Sequence, residues 1–149
     1  MEGRELKEEE LTRSVIGAFF DVYNVLDFGF LENVYLNALE IELVERRHRV
    51  AREAYVGVDY KGRGVGVQRL DMLVDGRLIV EVKSTEHLPP TAIRQLDSYL
   101  KGTGLEVGLL LHFGPQAKFY RRIRDEGKTR HQKNYQQQPI YTDDADLHG

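Results

Sequence analysis

Asp71, Glu81 and Lys83 are the residues whose types and spacing could do chemistry. In an extended chain, residues two apart share a face, so Glu81 and Lys83 of the Glu81-Val82-Lys83 run project together. If the preceding strand adds Asp71 to that face, two carboxylates and one ammonium line an acidic pocket. The chain has no Cys, and no pair of His stands nearby. Such carboxylates are hard oxygen ligands, suited to Mg²⁺ or Mn²⁺ rather than zinc. A metal so held lowers the pKa of a bound water and neutralises charge growing on a phosphoryl oxygen. The two carboxylates favour the protonated form of Lys83, which then orients the attacking water and stabilises the transition state. Two more segments can reach this pocket. Gln95 and Tyr99, four apart, share one helix face. Glu32 opens another helix, where the positive dipole end favours its ionised form, with Tyr35 three residues on.

These residues need elements to carry them. Leu11 to Leu26 has the apolar spacing of an amphipathic helix (Val15, Ile16, Phe19, Tyr23, Leu26), broken by Asp27-Phe28-Gly29. Gly29 suits the sharp turn into a second helix, Phe30 to Arg47. Its apolar positions (Leu31, Val34, Tyr35, Ala38, Leu39, Ile41) wrap most of the circumference, which predicts burial all round. Arg46, Arg47 and Arg49 follow, where cations complement the helix dipole. The period then changes to two. Strands are expected at Ala54–Tyr60, Val65–Val74 and Arg77–Ser84, with turns at Lys61-Gly62-Arg63-Gly64 and Asp75-Gly76. Pro89-Pro90-Thr91 starts a third helix that runs to Lys101 and stops at Gly102. Leu105 to Phe113 is an apolar strand of the kind covered on both faces, and Ala117 to Ile123 is the last strand. The order α-α-β-β-β-α-β-β predicts an α/β domain, a mixed sheet between helices on either side. Residues 1–10 read as an N-terminal extension, 11–123 as the domain and 124–149 as a polar, mobile or loosely docked tail.

Parity decides whether Asp71 joins Glu81. A two-residue turn at Asp75-Gly76 pairs Asp71 with Val80, on the wrong face. A three-residue loop, Val74-Asp75-Gly76, pairs Asp71 with Ile79 and brings Asp71, Glu81 and Lys83 to one side. A shared site therefore requires a glycine bulge at Gly76 or an equivalent one nearby.

Asp71, then Glu81-Val82-Lys83 after a hairpin, then Gln95 and Tyr99 on the next helix, resembles the PD-(D/E)XK nuclease superfamily. Gly29-Phe30-Leu31-Glu32-Asn33-Val34-Tyr35 resembles the signature of the GxxExxY protein family within it. The resemblance runs from about Leu11 to Ile123. It implies a restriction-endonuclease-like core and metal-dependent phosphodiester hydrolysis, with Asp71 and Glu81 as metal ligands and Lys83 as the catalytic lysine. It also implies that Glu32 contacts the metal or its water, and that Gln95 and Tyr99 stand beside the site. Arg69-Leu70 precede Asp71 where the superfamily name has proline.

Bland accounts stand beside these. Glu-x-Lys alone is a common strand edge, Glu32 alone an ordinary helix-start acid, and Tyr99 could be core. The five His show no ligand spacing. Gly62, Gly64 and Gly66 precede a strand, not a helix, so they read as hairpin glycines rather than a phosphate loop. Residues 121–134 carry six cations (Arg121, Arg122, Arg124, Lys128, Arg130, Lys133) against Asp125 and Glu126. That stretch could track a phosphate backbone, or be a solvated strand edge.

At 149 residues and 41% hydrophobic composition, one compact domain is expected. The net charge of −3 excludes a protein that coats nucleic acid by bulk charge. No apolar run approaches a membrane span, and five Glu against Arg4 and Lys7 in the first ten residues read as neither signal nor transit peptide. A cytoplasmic nuclease follows as the expectation, Mg²⁺-dependent, with DNA ahead of RNA as its partner and a homodimer to reach two strands. The alternatives are a catalytically inactive nucleic-acid-binding or assembly module on the same fold, and a small-molecule phosphoesterase.

Overall fold

A computed structural model of the chain describes residues 2–124, with side chains from Glu8 onward. The elements are α1 (Glu2–Leu26), α2 (Glu32–Glu45), β1 (Val50–Arg52), β2 (Tyr55–Tyr60), β3 (Arg63–Arg69), β4 (Met72–Val74), β5 (Leu78–Lys83), α3 (Ala92–Thr103), β6 (Val107–Phe113) and β7 (Ala117–Ile123). Five strands form one mixed sheet in the order β1-β4-β5-β6-β7, with β5 and β6 parallel and the other pairs antiparallel. Strands β2 and β3 form a separate two-stranded ribbon. Helices α1 and α2 cover one face of the sheet and α3 the other, the three-layer α/β arrangement expected.

Strand β5 shows how the sequence builds both layers. Leu78, Val80 and Val82 point into the core with α1 and α2, while Ile79 packs with Leu96, Tyr99 and Leu100 of α3. Alternation then puts Glu81 and Lys83 on the α3 face. Strand β6 alternates likewise, with Leu109 and Leu111 toward α1 and α2 and Leu110 toward α3. Gly108 lies on the α3 face because a Cβ there would sit 2.8 Å from Leu96 Cδ1.

The structure departs from the expected elements in physically simple ways. Helix α1 begins at Glu2, ahead of the expected Leu11. Helix α2 buries one side only, through Tyr35, Leu36, Leu39 and Leu43, whereas Leu31 is 80% exposed and Ile41 59%. Only one face of α2 meets α1 and the sheet, so its all-round hydrophobicity does not translate into all-round burial. Beyond α2, Arg46 reaches back to Asp21 Oδ2 (2.8 Å) over Gly17, joining the two helices. Strand β1 went unread because three residues carry no usable period. Helix α3 stops at Gly104, in the left-handed region at φ 76°, and Gly102 lies within the helix.

The largest departure is that the expected strand Val65–Val74 is two strands in two sheets. The chain turns a corner at Leu70-Asp71, opposite a matching corner at Glu53-Ala54. The corners are tied by Leu70 N–H to the Ala54 carbonyl (2.7 Å) and Glu53 N–H to the Asp71 carbonyl (3.0 Å). Glu53 takes φ 54° to make the bend.

Ser14, His48 and Asp75 line up in a hydrogen-bonded chain, with Ser14 Oγ to His48 Nε2 and His48 Nδ1 to Asp75 Oδ2 both 2.8 Å. Asp75 Oδ1 also accepts the N–H of Arg49 (2.7 Å). Ser14 lies mid-helix, where neighbouring backbone N–H groups are already bonded along the helix, so no oxyanion site faces it. The chain is a tie between α1, the end of α2 and the β4–β5 turn. Burial raises the Asp75 carboxyl, but the Arg49 N–H and His48 outweigh it and hold the group below its ordinary range.

Arg122, expected at a nucleic-acid surface, is only 2% exposed. Its Nε and Nη2 grip both carboxylate oxygens of Asp97 on α3 at 3.0 and 2.9 Å. Arg121 is buried as well. Both guanidinium groups belong to the fold rather than to an accessible cationic stripe, a correction that alternation along a strand buried on both faces explains. Removing one member of a buried ion pair leaves the other charge poorly compensated. Asp97→Ala is therefore expected to lower stability by about 3–5 kcal/mol in urea unfolding. Asp97→Leu combined with Arg122→Met should cost markedly less.

Candidate active site

The corner at Leu70-Asp71 creates the site. In the β4–β5 ladder Met72 faces Val80, Leu73 faces Ile79 and Val74 faces Leu78, a register that continues to Asp71 opposite Glu81. The parity the site needs is present, with a different loop from the one expected. Asp75 and Gly76 take φ 53° and 66°, Arg77 N–H closes the turn on the Val74 carbonyl, and Arg77 is the extra residue before the ladder begins. Asp71 thus meets Glu81 rather than Ile79.

At the corner a side chain replaces the ladder bond. Asp71 N–H donates to Glu81 Oε2, and Val82 N–H donates to Asp71 Oδ2, each at 2.9 Å. Each carboxylate is held by a backbone N–H across the strand gap. Glu81 is 5% exposed. Burial, and next the Asp71 carboxylate, push its pKa up to about 8, although Lys83 and the Asp71 N–H pull the other way. Two acids this close do not both ionise without a compensating cation.

The neighbouring elements converge on this pair. Lys83 is half-buried, two residues on from Glu81 on the same face. Glu32 begins α2, and its pKa is raised by burial, lowered by Lys83 and raised by Asp71. Glu32 therefore lies within electrostatic reach of both, although α2 packs on the other side of the sheet. Tyr99 on α3 is buried, and burial followed by the Glu81 and Asp71 charges raises its hydroxyl pKa. Gln95 is exposed, one turn before Tyr99. Arg69, at the foot of the β2–β3 ribbon, acts on Tyr99 in the opposite sense. Sequence reasoning missed this residue, because only the corner brings the ribbon's foot to the site.

The Gly29–Tyr35 segment sets Glu32 in place. Gly29 takes φ 128°, open to glycine and strained for other residues. The Tyr35 hydroxyl donates to the Asp27 carbonyl and accepts the N–H of Phe30 (3.2 Å), closing the turn ahead of Glu32. The Tyr35 ring stacks on Phe113 of β6, with centroids 4.2 Å apart and planes at 17°. The first residue of α2 is thereby fixed to the sheet that carries Glu81.

Of the expected nucleic-acid-binding residues, Arg124 is partly exposed just after β7, where its N–H bonds the Glu106 carbonyl (2.7 Å). Lys128 and Arg130 lie outside the described residues. Among the described residues no cluster of three His, Asp or Glu side chains is arranged to hold a metal ion. Each of the Asp71 and Glu81 carboxylates has one oxygen engaged by a backbone N–H. No helix among the described residues is long and apolar enough to cross a membrane.

Comparison with known proteins bears on the same segment. The family model described as the PD-(D/E)XK nuclease superfamily matches residues 9–123. No curated protein matches the chain. A solved structure titled "Crystal structure of SSO0001" shares 17% identity at a TM-score of 0.48, over 74% of this chain and 60% of that one. The chain thus spans about 60% of that structure's length. The family match covers most of the chain and contains Glu32, Asp71, Glu81, Lys83, Gln95 and Tyr99, and on that match the chain belongs to the PD-(D/E)XK nuclease superfamily.

Proposed function

We propose that this chain is a metal-dependent nuclease that hydrolyses phosphodiester bonds of DNA by water attack, with Asp71 and Glu81 holding Mg²⁺ or Mn²⁺. The observation that carries the reading is the reciprocal lock between the Asp71 and Glu81 carboxylates, with Lys83 and Glu32 in electrostatic reach. The donor chemistry fits a hard dication. Two carboxylates are held together at a buried corner, one with its pKa pushed up to about 8, so ionising both calls for a compensating positive charge. Mg²⁺ is commonly bound by one or two carboxylates and completes its shell with water and phosphate. When bound it supplies charge neutralisation at the phosphoryl oxygens and a more acidic water.

The chain's own residues do the rest. Lys83, two residues on from Glu81 on the same face, orients the attacking water and hydrogen-bonds the phosphoryl oxygen that gains charge. Glu32, at the positive end of α2 and within electrostatic reach of Lys83 and Asp71, accepts a hydrogen bond from that water. Tyr99, with its raised hydroxyl pKa, remains a donor, and with Gln95 it fixes the scissile phosphate from the α3 side. Water attacks phosphorus and gives up a proton to solvent, the bond to the leaving sugar oxygen breaks, and solvent protonates that oxygen. The Gly29–Tyr35 geometry also supports membership of the GxxExxY family within the superfamily. A homodimer would present two such sites to a duplex.

Lys83→Ala and Glu81→Gln are each expected to lower the cleavage rate about 10²–10³-fold, the scale of losing one preorganised charge contact. The assay is on linear, single-stranded and duplex DNA with Mg²⁺ or Mn²⁺. No cleavage by the unaltered protein with either metal, or an unchanged rate in Lys83→Ala, overturns the proposal.

Metal and pH are linked through Glu81. Its folded-state pKa of about 8 lies above its ordinary 4.5, so folding favours the protonated form. Its contribution to metal-free stability is full below the ordinary value and is lost as pH rises through about 8. Binding a dication requires the ionised carboxylate, so Mg²⁺ should raise the unfolding midpoint more on the alkaline side of that range than on the acid side. Thermal unfolding with and without Mg²⁺ across pH checks this. Glu81→Gln should flatten both the metal-free slope and the Mg²⁺ effect.

A further inference from the structure

Helix α2 carries two apolar faces. One packs into the core through Tyr35, Leu36, Leu39 and Leu43. The other is a stripe of Val34, Ala38 and Ile41, with Leu31 at the N-cap ahead of it and Val44 one turn beyond Ile41. Leu31, Val34, Ala38 and Ile41 are spaced by three, four and three residues, the a/d rhythm of a seam between paired helices. Leu31, Val34, Ile41 and Val44 are all exposed, so no other part of the described fold covers the stripe. Arg52 of β1 holds Asn37 and Glu40 on the flank toward the sheet edge, which leaves the stripe itself open to solvent.

The stripe belongs to a larger patch. Of the eleven exposed large hydrophobic residues in the described chain, six lie in this one segment: Phe28, Phe30, Leu31, Val34, Ile41 and Val44. Together they expose on the order of 600 Å² of apolar surface, at roughly 200 Å² for a whole large apolar residue. That is the upper end of the ~300–600 Å² found for the largest apolar patch of a typical monomer. With its polar rim it approaches the ~800 Å² that each partner gives to a standard interface. Residues 125–149 offer no matching seam, because their large apolar residues are only Tyr135, Ile140, Tyr141 and Leu147, without the three-four spacing.

We infer that the stripe is the interface of a homodimer, covered by α2 of a second copy of this chain running antiparallel to it. A two-fold axis at the level of Leu36 sets Leu31 against the partner's Ile41 and Val34 against the partner's Ala38. Each a position then meets a d position. Large side chains meet at the two ends, and Val meets Ala at the middle, where the small side chain lets the helices approach. The same axis brings Phe28 to the partner's Val44, so apolar residues flanking the seam are covered too. Charge selects the direction. Antiparallel ends are mixed in sign, with Glu45 and Arg47 of one copy near the partner's Asp27. A parallel pairing instead sets Asp27, Glu32 and Glu45 each beside its own counterpart and lays two helix dipoles side by side in the same sense. Glu32 follows Leu31 directly, so each end of the seam lies one residue from a candidate site. The inference goes beyond the nuclease reading, since it needs neither metal nor DNA, and it gives the homodimer named there its surface.

Sedimentation equilibrium of the full chain at micromolar concentrations, with metal chelated and no DNA, is the test. The expected mass is twice the 17.2 kDa of one chain. Ile41→Glu puts a charge into the seam from each copy and should weaken the dimer at least about 100-fold. Leu31→Asp should do the same, and an acid at a helix N-cap keeps α2 formed. Circular dichroism checks that both variants retain the helical signal. Val65→Glu, on the exposed β2–β3 ribbon, should leave the dimer intact. The chain has no Cys, so disulfides read the direction. Leu31→Cys mixed with Ile41→Cys should give the mixed disulfide well ahead of either like one. Four results overturn the interface: a monomer throughout the micromolar range, a dimer that folded Ile41→Glu and Leu31→Asp leave intact, a dimer dispersed by Val65→Glu instead, or like disulfides that dominate. None of these readouts depends on cleavage, so failure of the nuclease reading is seen separately, as no cleavage of DNA with either metal.

Discussion

One local conflict organises this molecule. At Asp71 the chain leaves one sheet for another, and the backbone N–H released there is taken by the Glu81 side chain instead of a ladder carbonyl. In return the Asp71 side chain takes the N–H of Val82. Buried backbone donors must find partners. Here the partners are two carboxylates that would otherwise repel. Backbone hydrogen bonding therefore holds the acids together, and burial, with the Asp71 charge next, raises the Glu81 pKa.

The rest of the fold keeps that arrangement rigid. Strand β5 is buried on both faces by apolar neighbours, which fixes the register placing Glu81 opposite Asp71. Helix α3 is tied to β7 through Asp97 and Arg122, so Tyr99 is held against the acids. On the other layer, Tyr35 links the turn before Glu32 to Phe113. Three elements distant in sequence thus reach one point through three kinds of contact: a ladder, an ion pair and a ring stack.

Much of this was legible in the residues. The alternation around Glu81 and Lys83 indicates their shared face, and the need for an even register with Asp71 followed from parity alone. The spacing of Gln95 and Tyr99 gave their helix face, and Gly29 marked the turn ahead of Glu32. What could not be read were features set by long-range contacts. The strand from Val65 onward looks unbroken because Leu70 and Met72 are both apolar. Only pairing with Ala54 on one side and Val80 on the other reveals two sheets. Arg121 and Arg122 look like surface cations, and composition does not announce Asp97 of α3 as the partner of Arg122. The exposed side of α2 was hidden for the reverse reason, since apolar residues there meet no neighbour within the described fold.

The β2–β3 ribbon stands apart from the main sheet, and two backbone hydrogen bonds between the corner strands form its hinge. One of those bonds accepts at the Asp71 carbonyl, and Arg69, the last residue of β3, stands only two residues before Asp71. The foot of the ribbon also packs on α3, where Ala54 and Val56 join the cluster of Leu96, Tyr99 and Leu100. Ribbon, helix and acid-bearing corner therefore share one apolar footing, and whatever loosens that footing reaches the carboxylates.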